Sequence, residues 1–140
     1  MIIDKGTLDA MLSDKIEGEK NCIKIISEAA RALAVDGFIL IVSHLNANGD
    51  EGLAWANDVL SVGLKDGDGA SDYHVEVHSN DCHGDDGISE NGEVNLDIQE
   101  ESAASDNKEY GPAVYIIKKV KQQGGARDGS SRVDMKFVGY

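Results

Sequence analysis

Ala113-Val-Tyr-Ile-Ile-Lys118 is a short apolar run late in the chain, and its reading decides the fold. It follows a long acidic segment rich in Gly and Asp, so it has no strand-like neighbour in sequence. Backbone N–H and C=O groups need partners inside a core, so this run must insert beside strands formed earlier. Two earlier runs offer that company, Gly37-Phe-Ile-Leu-Ile-Val-Ser43 and Tyr73-His-Val-Glu-Val-His78, and a weaker third is Met1-Ile-Ile-Asp4. Helix-period patterns separate the early runs. The chain therefore predicts an α/β protein whose four short strands make up half of a larger sheet.

Between the first two runs, Ile23, Ile26, Ala29, Ala30 and Leu33 recur at helical spacing, with Lys20, Lys24, Glu28 and Arg31 on the outer face, which predicts a helix over 19–33. Cys22 lies beside the apolar stripe and reads as a small buried hydrophobe. Asp36-Gly37 breaks this helix, with Gly37 suited to a turn of positive φ. The nearly continuous apolar run that follows suits a central parallel strand buried on both faces, reached from the first strand by a right-handed crossover. Leu53, Ala54, Ala56, Val59, Leu60 and Leu64 predict a second helix over 51–64. Asn48-Gly49-Asp50 supplies its turn and N-cap, Trp55 sits at its edge, and Lys65-Asp-Gly-Asp-Gly69 closes it. In the third run Tyr73, Val75 and Val77 share one face, and His74, Glu76 and His78 the other.

Residues 79–109 are acidic, carry a single Lys108 and have little periodicity, which predicts a disordered insertion between two hairpin strands. Gly111-Pro112 marks the return to order. The expected organisation is a folded unit over 1–121 followed by a flexible tail over 122–140, of which 133–140 is frayed or pairs as a further strand.

At 140 residues and 41 % hydrophobic content, the chain is long enough for one domain with a core. Its formal net charge of −13 argues against sequence-unspecific binding to nucleic acid and favours a basic partner or solubility. No run approaches the ~20 apolar residues of a membrane span, and the N-terminus lacks the features of a signal peptide. A cytoplasmic location is the default expectation. Cys22 and Cys82 read as free thiols in a reducing compartment.

In a parallel sheet the carboxyl ends of the strands form the ligand crevice. Asp4-Lys5-Gly6-Thr7 at the end of the first strand and Ser43-His44 at the end of the second would fall on that same edge. Thr7 would cap a short helix with Asp9 near its positive end. A strand-to-helix turn with a solvated Asp and Lys, and a structural His44, account for the same residues. His74, Glu76 and His78, with His83, offer zinc-type ligands. A half-exposed strand gives the same pattern, and no metal is assigned.

Ile2-Ile-Asp-Lys-Gly-Thr-Leu-Asp-Ala10 resembles the segment at the end of the fourth strand in class I S-adenosylmethionine-dependent methyltransferases, specifically the methyltransferase-like group that includes the lysine methyltransferases of translation elongation factor 1A. Ala30-Arg-Ala-Leu-Ala-Val-Asp-Gly-Phe38 resembles that family's helix, turn and start of strand five, with Val35 and Asp36 in place of the usual Pro and first Gly. His74-Val-Glu-Val-His78 and Ala113-Val-Tyr-Ile-Ile-Lys-Lys119 resemble strands six and seven. The resemblance implies a partial Rossmann-like sheet of strands four to seven ending in an antiparallel hairpin, S-adenosyl-L-methionine as cofactor, and methyl transfer to a protein lysine, with elongation factor 1A as the candidate substrate. It implies Asp4 and Lys5 as catalytic residues and Gly6, Thr7, Ser43 and His44 as substrate-binding ones. The family's glycine loop and ribose-holding acid precede its fourth strand and have no counterpart here. The expectation is therefore a fragment or degenerate paralogue, inactive as the isolated chain and without assignable cofactor-binding residues. The competing expectation is a noncatalytic acidic interaction protein on a remnant of the fold.

Overall fold

A computed structural model of the chain describes residues 1–46, 49–79, 111–122 and 130–139. Of the insertion expected over 79–109, Ser79 is the last residue of a strand, and the rest, Cys82 and His83 included, lies outside the described residues. Five strands, β1 (Ile2–Lys5), β2 (Phe38–Ser43), β3 (Ser71–Ser79), β4 (Ala113–Lys121) and β5 (Val133–Gly139), form one sheet in the order β1-β2-β4-β3-β5. β1 runs parallel to β2, and β3 parallel to β5, while β4 is antiparallel to both of its neighbours. Four strands therefore point one way and β4 alone opposes them. The late apolar run does insert between the two earlier ones, with Ile41 opposite Tyr115 on one side and Val77 opposite Tyr115 on the other.

Helices α1 (Thr7–Leu12) and α2 (Gly18–Ala32) connect β1 to β2. The second helical stretch is longer than the apolar spacing predicts. It comprises α3 (Asp50–Ala54), a π-helical segment at Trp55–Leu60 and α4 (Ser61–Asp68), ending at Gly69 with φ 64°. The wider π turn buries the adjacent pairs Trp55 and Ala56, and Val59 and Leu60. Trp55 is therefore a core residue rather than an edge one. Its ring meets that of Tyr115 edge-on at 4.8 Å between centroids.

One sheet face carries the core. Ile39, Ile41, Tyr73, Val75, Val77, Tyr115 and Ile117 pack there against Leu8, Cys22, Ile26, Ala30, Leu60 and Leu64 from the helices. α2 and α4 approach closely because Gly63 and Gly67 lack side chains: a Cβ on Gly63 would lie 2.8 Å from Ile26 Cβ, and one on Gly67 2.6 Å from Ala30 Cβ. The opposite face bears Ile3 and Phe38, both exposed, beside half-buried Leu40, Val42, Val114 and Ile116. The buried hydrophobic side chains of the described helices all belong to the core on the first face.

Lys119 fastens the helix layer to the sheet. Its side chain is 4 % exposed. Nζ donates to Ala30 O at 2.8 Å and Leu33 O at 2.9 Å, two carbonyls at the end of α2, and pairs with the carboxylate of Asp68 at the end of α4. These carbonyls have no partner within the helix, so a buried ammonium satisfies them. Burial tends to raise the Asp68 carboxyl. Hydrogen bonds from Lys119, the Ala70 N–H and Ser71, together with the Lys119 charge, outweigh it and hold the group below its ordinary value.

Three local expectations are corrected. In the turn after α2 the positive φ belongs to Asp36 (64°), not Gly37. Asp36 N–H donates to Lys119 O, and Lys119 N–H to Gly37 O, which ties the turn to β4. Gly37 is needed for space, since a Cβ there would stand 2.8 Å from Leu33 Cδ1. Gly6 (φ 86°), not Thr7, occupies the N-cap of α1. Of the tail expected to be flexible over 122–140, Val133–Gly139 is a strand. Its Val133, Met135 and Phe137 register with Tyr73, Val75 and Val77, and β3 would otherwise leave an edge of unpaired backbone groups. The sheet thus continues past the antiparallel pair of β3 and β4. No helix among the described residues is long and apolar enough to cross a membrane.

Candidate functional site

The carboxyl ends of β1 and β2 lie side by side, with Lys5 opposite Val42. At this edge α1 sends Asp9 toward the end of β2. Asp9 Oδ1 accepts the Ser43 hydroxyl, and Asp9 Oδ2 accepts the His44 N–H at 3.0 Å. Ser43 Oγ in turn accepts the Leu45 N–H at 3.0 Å, and the Tyr115 hydroxyl donates to Leu45 O. Asn46 Nδ2 reaches Gly111 O at 3.2 Å. One chain of hydrogen bonds thus fixes the loop after β2 against α1 and β4.

A pocket of about 350 Å³ opens beside this network, lined by Lys5, Gly6, Asp9, Val42, Ser43, His44 and Pro112. A second hollow of about 310 Å³ continues from His44 toward Gly49–Gly52. Lys5 and His44 are exposed, while Ser43 is buried. The pocket therefore presents two exposed nitrogen-bearing side chains over a fixed, acidic floor. Burial, and after it the Asp9 charge, push the Tyr115 phenol well above its ordinary value, so it remains a donor. Burial first, then the charges of Asp4, Asp9 and Glu19, push the Cys22 thiol up to about 11. The thiol faces Leu8 O at 3.5 Å and is no nucleophile at neutral pH.

Of the residues singled out in the sequence, Lys5, Gly6, Ser43 and His44 meet in this pocket. Asp4 does not line it. Its Oδ2 accepts the Leu8 N–H at 3.3 Å, and the residue borders an apolar hollow with Ile2, Ile25 and Ile39. Thr7 is exposed and also outside the pocket. The sequence reading missed Asp9, the residue that organises the edge, along with Tyr115 and Pro112. The signal for Asp9 was its position early in α1, opposite the polar end of a parallel neighbour strand. On β3, His74 Nδ1 stands 3.7 Å from Asp134 and His78 Nε2 3.4 Å from Glu76. No group of three or more His, Cys, Asp or Glu able to hold a metal occurs among the described residues.

Ser43 has the Asp9 carboxylate beside its hydroxyl, but the residue is itself buried. The single proton of Ser43 points to Asp9, whose two oxygens are both engaged, so the network positions the loop rather than activating a group. Fold and site define a mixed α/β protein with a five-stranded sheet and a polar crevice at the carboxyl ends of two parallel strands. No family model, curated protein or solved structure matches the chain.

Proposed function

We propose that the chain supplies the acceptor-side half of a class I S-adenosylmethionine-dependent methyltransferase sheet acting on a protein lysine, the cofactor half joining along the edge of β1 that no described strand pairs. The observation that carries this reading is the strand order: two parallel strands, then a late antiparallel strand inserted before a strand that again runs with the first two. That is the order in which the resemblance would arrange strands four, five, seven and six. The apolar face at Ile3, Phe38, Leu40 and Val42, which no described helix packs against, lies on the same half of the sheet as the β1 edge that no described strand pairs, where further layers would add.

Asp4 and Asp9 do not fit the ribose of the cofactor. A ribose needs a carboxylate with free oxygens, whereas both oxygens of Asp9 are engaged and Asp4 turns toward Leu8 N–H. No transfer step is therefore derived from these residues. In this reading they build a wall: Asp9 and Tyr115 hold the loop rigid, and Lys5 and His44 border the path of an incoming side chain.

The test is calorimetric titration of the chain with S-adenosylmethionine, alone and joined to the upstream half of a related enzyme. The expected result is no saturable binding alone and micromolar binding when joined. Micromolar binding by the chain alone would overturn the division into halves, and no binding by the joined protein would overturn the methyltransferase reading. Commitment of Ser43 and Asp9 to each other favours a second reading, a noncatalytic acidic interaction protein. Cofactor binding by the joined protein without methylation of elongation factor 1A or another protein lysine would select it.

A further inference from the structure

At the other end of the sheet, a groove of about 880 Å³ opens between α4, the starts of β3 and β5 and the end of β4. Two of its lining residues carry buried hydroxyls with no hydrogen-bond partner, Tyr73 (0 % exposed) and Ser131 (4 % exposed). An unpartnered buried hydroxyl costs about 1–3 kcal/mol, so two beside one cavity call for an acceptor. Burial, then the charge of Asp68, push the Tyr73 phenol up to about 12, so it offers a proton at neutral pH.

Lys65, Lys121 and Arg132 line the same groove, and their side chains form no ion pair among the described residues. Two carboxylates share the lining with them. Asp72 Oδ1 accepts the Arg132 N–H at 3.0 Å, and Asp134 stands 3.7 Å from His74. Three cations against two carboxylates give the lining a formal charge of +1 on a chain of net charge −13. A carboxylate ligand would bring one charge and two oxygens. A phosphate monoester brings about −1.5 to −2 and three strong acceptor oxygens, and three acceptors suit five donor side chains better than two do.

We propose that this groove binds a phosphate group, free or carried by a small organic ester, with Tyr73 and Ser131 donating to its oxygens and Lys65, Lys121 and Arg132 balancing its charge. The volume suits a ligand larger than the phosphate alone. The site lies at the far end of the strands from the Lys5–His44 pocket and is independent of the function proposed for it.

The full chain is titrated by calorimetry with inorganic phosphate, glycerol phosphate, adenosine 5′-monophosphate and adenosine. Saturable binding of the phosphate-bearing probes, with none of adenosine, is expected. Equal affinity for all three phosphates assigns the site to free phosphate, and tighter binding of an ester assigns it to the ester. Lys121→Gln combined with Arg132→Gln should weaken binding at least about tenfold. Tyr73→Phe should weaken it several-fold while leaving the unliganded Tm unchanged or raised, an outcome a merely structural tyrosine would not give. Circular dichroism checks each fold, and Lys65→Gln on the exposed helix surface provides a further variant that leaves the core intact. Absence of saturable phosphate binding, equal binding of adenosine, or binding indifferent to the double substitution would overturn the assignment.

Discussion

Replacing Lys119 with Met keeps most of the side chain's length and removes only its ammonium. Two hydrogen bonds to the carbonyls of Ala30 and Leu33 are lost, each worth about 1 kcal/mol. Asp68 also loses its partner. Breaking a buried pair costs about 3–5 kcal/mol, but the Asp68 side chain is 23 % exposed, so water recovers part of that charge and the low end applies. Because the three interactions share one donor group, their separate values do not add, and the expected loss is about 3–4 kcal/mol. At about 4 °C per kcal/mol for a chain of this size, Tm should fall by about 12–16 °C. Thermal and urea unfolding followed by circular dichroism at neutral pH measure it. Asp68→Asn added to Lys119→Met should recover part of the loss, since the stranded charge is gone. A fall of less than about 3 °C in the single variant would refute the reasoning that this ammonium fastens helices to sheet. The pH dependence has a defined sign. The folded Asp68 carboxyl is held below its ordinary 3.8, so its contribution is complete above that value and disappears as pH drops through the lower folded value. Lys119→Met should flatten that part of the acid limb.

Other predictions concern separate parts of the fold. With Cys82 replaced by Ser, Cys22 in the native chain should react with a disulfide reagent at least about a hundredfold more slowly than in urea, given a thiol raised from 9.0 to about 11; equal rates would mean that the thiol is open. Asp9→Ala should cost about 2 kcal/mol in urea unfolding through the loss of its bonds to Ser43 and His44, whereas a change below about 0.5 kcal/mol would show that the loop is held by other contacts. Ile3→Lys, on an exposed position of the edge strand, should change stability in urea unfolding by less than about 0.5 kcal/mol; a loss above about 2 kcal/mol would show that Ile3 is packed.

The strands were legible where one face is buried and the period is two, as in Tyr73, Val75 and Val77, or where an apolar run had no partner in sequence, as at Ala113-Val-Tyr-Ile-Ile-Lys118. β5 was hard to see because its pattern is short, follows a Gly-rich stretch and pairs with residues some sixty positions earlier. Local pattern says little about such a partner. The α2 helix was legible from its stripe, but the π turn was not: it arises when tertiary packing draws Trp55 and Ala56 inward together. The meeting of Lys5, Gly6, Ser43 and His44 could be read from two polar strand ends on one edge. The engagement of Asp9 could not, since it depends on how α1 leans over β2.

The place of β4 governs the timing of assembly. β2 and β3 are made before it, yet neither touches the other across the sheet, because β4 lies between them. A nascent chain that has released only β1 to β3 has one two-stranded ribbon, an unpaired β3 and a helix layer without its anchoring lysine. Closure waits until residues 113–121 have left the ribosome and slot between strands already waiting on either side. Such a fold has high contact order and slow, late cooperative closure. Its dependence on chaperones should grow with any delay in translating the stretch that separates β3 from β4.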